Sequence, residues 1–161
     1  MTRRACLPLV LVFSTCLSLS LIAQEHEHAA TATSGFDKAI LQQVWDAWDT
    51  LDPANPAKFY SHEANHIFYD VAPLQYHNWS EYENGVKKVF ADWKSLKSKV
   101  NYDGMIRSES PTMTWTTSTV DMDVVTKDGK NQKMTARWTA IWHKHGNQWL
   151  IAHEHVSLPL Q

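Results

Sequence analysis

Residues Thr112–Ser157 run TMTWTTSTVDMDVVTKDGKNQKMTARWTAIWHKHGNQWLIAHEHVS, and the reading of this stretch decides the fold. Thr112 to Thr126, Gln132 to His143 and Gln148 to Ser157 are rich in β-branched and aromatic residues at period two, so each reads as a strand. Asp128-Gly129 and His145-Gly146-Asn147 supply the reversals between them, which makes the three strands antiparallel neighbours. Alternation then sorts the side chains. Trp149, Ile151, His153 and His155 are expected on one face of the last strand, with Leu150, Ala152, Glu154 and Val156 on the other. Met134, Ala136, Trp138, Ala140 and Trp142 share a face opposite Thr135, Arg137, Thr139 and Ile141. Met113, Trp115, Thr117 and Thr119 alternate with Thr114, Thr116, Ser118 and Val120. Faces that mix Trp with His, Thr or Arg suit a cavity wall, and a bulge would exchange inward for outward.

Upstream the period is helical. Phe36, Ile40, Val44, Trp48 and Leu51, widened by Leu41 and Trp45, predict an amphipathic helix from Phe36 to Leu51, with Ser34 as its cap and Asp37 in its first turn. Pro53 and Pro56 end it. A short second helix is expected from Pro56 to His62, then a brief strand, Asn65 to Asp70, stopped by Pro73. Tyr82, Val86, Val89, Phe90 and Trp93 predict a further helix from Asn78 or Trp79 to Leu96, and Val100 to Ile106 reads as a strand. Helices first and hairpin-linked strands afterwards give an α+β domain rather than a doubly wound sheet.

The N-terminal residues 1–23 read as a signal peptide: Arg3 and Arg4 precede an apolar run from Leu7 to Ile22, and Ala23 offers a small residue for cleavage. That run is at the short end of what crosses a bilayer, and bulky Phe13 argues against lipid modification of Cys16. A secreted or periplasmic protein is expected, with no membrane association after cleavage. Residues 24–35, QEHEHAATATSG, are a flexible lead-in, and residues 36–161 form one domain. Both cysteines, Cys6 and Cys16, lie in the leader, so the domain has no disulfide, thiol nucleophile or thiolate metal site. Its acidic balance, already −2 with the leader's arginines counted, gives no footprint for nucleic acid.

Histidine and tryptophan stand out, at 9 and 8 residues. Two histidines two apart in a strand, His153 and His155, could both reach Zn²⁺ or Cu²⁺, but a third ligand would have to come from His62, Glu63 or His66. The plainer alternative is that these imidazoles hydrogen-bond within the sheet or face water, and no metal or cofactor is assigned. Asp70, closing the apolar run Ile67-Phe68-Tyr69, is either a turn cap or a general base whose pKa burial would raise. The candidate catalytic set is Asp70, His62 and His153. Candidate ligand-binding residues are Trp45, Trp48, Tyr60, Tyr69, Trp79, Tyr82, Trp115, Trp138, Arg137 and His155. Eight indoles exceed what a domain of this size needs for its interior, which favours an apolar ligand cavity.

The chain resembles the NTF2-like superfamily in its SnoaL-like branch, among the secreted ketosteroid isomerase homologues. The resemblance rests on Val44 to Pro53, Phe59-Tyr60-Ser61-His62, Phe68 to Leu74, Thr126 to Lys130, Ala136 to Thr139 and Trp149 to Pro159. It implies a cone of three helices in a strongly curved, mostly antiparallel sheet, often dimeric through the outer face of the sheet. It implies Asp70 as the base. The family's oxyanion tyrosine falls near Trp45, and its second aspartate falls around Thr139 to Ile141, where this chain has no carboxyl group. Two functions follow: a cofactor-independent isomerase or lyase for a small apolar molecule, or a binding module for a hydrophobic ligand or protein partner. A homodimer is expected.

Overall fold

The computed structural model describes residues 35–160. The signal peptide, most of the lead-in and the Ser34 cap lie outside the described residues. The order is α1 (Ala39–Trp48), a 3₁₀ turn (Pro56–Phe59), β1 (Phe68–Tyr69), α2 (Trp79–Phe90), β2 (Trp93–Val100), β3 (Ile106–Ser110), β4 (Met113–Thr126), β5 (Asn131–His145) and β6 (Gln148–Ser157). One curved, unclosed six-stranded sheet runs β1-β6-β5-β4-β2. Long β4 has β5 on one edge, while β3 and β2 lie end to end along the other. Pairing is antiparallel except for the short parallel pair β1–β6. This is the expected α+β cone, with two α-helices; the 3₁₀ turn takes the place of the middle helix.

Helix α1 buries Leu41, Val44, Trp45 and Trp48 at helical spacing against the inner sheet face. Asp37 stands over its start, accepting the Ala39 N–H at 2.9 Å. The helix also shields the exposed edge of the sheet. Gln42 Oε1 accepts the Val100 N–H (2.8 Å) and Asp49 Oδ2 accepts the Ser98 N–H (2.9 Å). Those β2 donors face no neighbouring strand, and the side chains of α1 stand in for one. Helix α2 begins with a reciprocal cap: Asn78 accepts the Glu81 N–H, and Glu81 reaches back to the His77 N–H, each at 2.9 Å.

Three local expectations are corrected. Helix α2 stops at Phe90, and Trp93 already belongs to β2. Trp93 continues the helical spacing of Val86, Val89 and Phe90, but from Leu96 onward buried Leu96 and Val100 alternate with exposed Lys97 and Lys99, and pairing with β4 wins. The strand expected at Val100 to Ile106 is the end of one strand, a turn with Tyr102 at φ 53°, and the start of another. In β6 the faces exchange partway. Ile141 pairs with His153 while Trp142 pairs with Ile151, leaving Ala152 as an extra, bulged residue. Trp149 and Ile151 therefore share the inner face with Glu154 and Val156, and His153 and His155 turn outward.

Gly85 of α2 lies against the ring of Tyr76, and an added Cβ would overlap that buried ring. Gly85→Ala is expected to destabilise the domain by about 2 kcal/mol in urea denaturation, from overpacking that outweighs the gain in helix propensity. Tyr76 also donates to the Ala72 carbonyl at 3.3 Å, so the same change disturbs the loop that follows Asp70.

Candidate functional site

Between α1, α2 and the inner sheet face lies a cavity of about 310 Å³. Its walls are mostly apolar, with Val86, Phe90, Leu96, Met122, Met134 and Val156 among them. The polar side chains that line it include Asp70, Tyr82, Gln132 and Glu154. A few polar groups set in an apolar wall is the usual composition of a small-molecule site.

Glu154 comes from the inner face of β6 and is 1% exposed. Tyr82 Oη donates to its Oε1 at 2.5 Å, and Trp138 Nε1 donates to its Oε2 at 2.9 Å. Tyr60 Oη sits 3.0 Å from both carboxyl oxygens and itself accepts the Trp48 indole N–H at 2.9 Å. Each ring is held by its own packing. Tyr60 is tilted against Trp79 at 4.7 Å, and Tyr82 stacks on Tyr76 at 4.9 Å and on Phe68 at 5.4 Å. Burial lifts the Glu154 pKa to about 7 against the opposing pull of its Tyr82, Trp138 and Tyr60 hydrogen bonds, and the charge of Asp70 adds to the rise. Burial and the nearby Glu154 charge drive Tyr60 and Tyr82 well above the ordinary phenol range, so both stay protonated donors.

Asp70 reaches the same cavity from the end of β1. The parallel register sets Phe68 beside Glu154, and Asp70, two residues on, lies on the same side of the chain. Its Oδ1 accepts the Val71 N–H at 2.7 Å. Asp70 is half-buried as a residue, and desolvation of its carboxyl raises the pKa to about 6, partly offset by that hydrogen bond. Two carboxyl groups thus face one cavity in different settings: Glu154 is enclosed by donors, and Asp70 is bonded on one oxygen only. The second can accept a proton from a guest, and the first can hold one near neutral pH.

The remaining candidates divide by position. Trp45 and Trp48 line the cavity with Asp70 and Tyr82. Tyr60 and Trp138 stand behind it as ligands of the Glu154 carboxylate. Trp79 is core, between Tyr60 and a stacked His62 ring at 5.4 Å. His62 is exposed and its Nε2 donates to the Ala57 carbonyl, outside the cavity, so it is not brought to Asp70. His153 is likewise outside: the bulge turns it outward, where its Nδ1 donates to the Ile67 carbonyl at 2.6 Å. Tyr69 packs edge-on to both His153 and His155 on that outer side. Trp115 is also on the outer face, donating to Glu109 at 2.8 Å, and exposed Arg137 has no ion pair among the described residues. No three potential metal ligands are grouped to hold an ion among the described residues.

Glu154 was absent from the sequence-derived candidates. Its signal was an acid in apolar alternation with Ala152 and Val156. Its donors Tyr60, Tyr82 and Trp138 are 94, 72 and 16 positions away, and only the closed fold collects them.

The chain belongs to the SnoaL-like domain family, whose model matches residues 38–161. No curated protein matches the chain. Solved structures resemble it at low identity. An NTF2-like superfamily protein from Salmonella enterica serovar Typhimurium is 19% identical, covering 82% of this chain and 95% of that one, with a TM-score of 0.67. A candidate calcium/calmodulin-dependent protein kinase II association domain from Xanthomonas campestris is 20% identical over 76% and 85%, TM-score 0.67. A candidate scytalone dehydratase from Novosphingobium aromaticivorans is 12% identical over 76% and 83%, TM-score 0.65. At such identities the likeness is one of fold.

Proposed function

We propose that this protein is a cofactor-independent isomerase or lyase acting on a small, largely apolar carbonyl compound. The observation that carries the reading is the pair of carboxyl groups, Asp70 and Glu154, facing one apolar cavity with both pKa values lifted. Ionised Asp70 removes a proton from the carbon next to the carbonyl, and the C–H electrons move onto the carbonyl oxygen. Return of the proton to a different carbon completes an isomerisation. Loss of a β-hydroxyl as water, using that proton, completes a dehydration. An apolar cavity strengthens the interactions that hold the enolate, and Tyr82, kept protonated on its wall, serves it as a donor by shifting its hydroxyl from Glu154 Oε1 to the enolate oxygen. A fold neighbour described as a candidate dehydratase is consistent with this class.

A binding module without turnover is the second reading, favoured by one observation: Asp70 already caps the Val71 N–H. Exchange kinetics separate the two. α-Deuterated cyclic ketones and β-hydroxyketones, incubated with the protein in ordinary water and followed by NMR, are expected to lose deuterium. The rate should rise with pH through about 6, as Asp70 loses its proton, and level off above. Tight binding with no protein-dependent exchange at any pH would leave the binding module.

A further inference from the structure

A second space lies beside the inner cavity at Asp70. Asp70, Val71, Val156 and Leu158 line both that cavity and a groove of about 460 Å³ on the outer side of the β1 end. The groove is open, and its lip carries apolar surface that the fold leaves uncovered: Leu74 is 87% exposed and Val71 51%. Apart from Asp70, its polar side chains are two hydroxyls and an imidazole. Tyr69, His155 and Ser157 can each donate a hydrogen bond, and none of them uses its polar side-chain atoms on a hydrogen bond among the described residues. The only acid in the groove is Asp70 itself, at the junction with the inner cavity.

We infer that the substrate is a two-part molecule: an apolar body in the inner cavity, and an arm that passes Asp70 and ends in an oxygen-rich acceptor such as a carboxylate beside His155 and Ser157. The inference rests on the cavity reading above and adds the substrate class. The four shared wall residues set the two spaces side by side, and a molecule that spans both has its reacting carbon beside Asp70. The arm covers Leu74 and Val71, whose exposure otherwise has no counterpart in the fold. The hydroxyls and imidazole at the far end have hydrogen-bonding capacity to offer an acceptor there.

Two probes test this by quenching of tryptophan fluorescence. Benzyl alcohol fits the inner cavity alone; 6-phenylhexanoate has the same ring with an arm and a carboxylate. The long probe is expected to bind at least about tenfold tighter, from buried methylenes and a charge-assisted hydrogen bond. Leu74→Asp and His155→Ala change exposed side chains, so the fold is retained. Each should weaken 6-phenylhexanoate by about three- to tenfold and leave benzyl alcohol unchanged. Unchanged affinity of both variants for the long probe, or equal weakening for both probes, overturns the arm and spares the cavity reading. If the wild-type protein binds neither probe, the apolar cavity reading falls, and the arm with it.

Discussion

Asp70→Asn is expected to lower kcat by about a thousandfold while leaving affinity for a neutral ligand within about twofold. Asparagine has nearly the same shape, and its Oδ1 can still accept the Val71 N–H, so the turn after β1 survives. What disappears is basicity. An amide oxygen takes no proton from a carbon acid in this pH range, and the step that breaks the C–H bond loses its acceptor. The variant should be no less stable than wild type near neutral pH, because a desolvated carboxylate has been replaced by a neutral group. The pH dependence through about 6 should vanish with the activity. Parallel measurement of kcat and of ligand affinity decides the matter, and undiminished turnover would remove Asp70 from the chemistry.

The second large effect is on stability. Glu154→Ala leaves the hydroxyls of Tyr60 and Tyr82 and the indole of Trp138 without their acceptor in a closed interior, at roughly 3–5 kcal/mol in total. Glu154→Gln is milder, about 2 kcal/mol, since the amide keeps one acceptor oxygen. Its NH₂ group then meets a donor, and the indole of Trp138 cannot rotate to accept as a phenol can. The same residue sets a pH dependence. The folded pKa, about 7, exceeds the ordinary 4.5, so the folded state holds this proton more tightly than the unfolded state. Stability is therefore greatest below about pH 4.5, declines as pH rises through about 7, and is flat above, a loss of about 3 kcal/mol from this group. Asp70 acts in the same direction between 3.8 and about 6. Urea midpoints of wild type and Glu154→Gln at pH 5 and pH 8 check this: the variant should lose most of the difference, and a slope identical to wild type would show that Glu154 does not titrate there.

The strands β4, β5 and β6 were legible because each is long enough for period two to accumulate and each is bounded by a turn sequence. Where two periods overlap, the sequence misleads. Trp93 fits the spacing of α2 and is out of phase with Leu96 and Val100 in β2, and the bulged pairing with β4 that places it in the strand involves residues about thirty positions on. Asp70 could be singled out because it ends an apolar run. Its partner could not. Apolar alternation with Ala152 and Val156 was its one local mark, set against two flanking histidines that read as surface, and nothing local announces that two tyrosines and a tryptophan will close around it. The histidines drew notice for composition, yet His153 lies on the outer side because one bulge reverses the alternation.

That bulge has a consequence for how relatives of this chain are aligned. Ala152 works as a spacer that sets the phase of everything downstream: a chain lacking it would keep the carboxylate inside on plain alternation, whereas one of the same length that paired without the bulge would present an imidazole to the interior and send the carboxylate into water. Such a relative could match the Trp-Leu-Ile stretch and the final His-Val-Ser and still hold a lumen of the opposite polarity. The presence or absence of the bulge opposite Ile141 and Trp142, rather than identities along the strand, tells which of the two a given homologue contains.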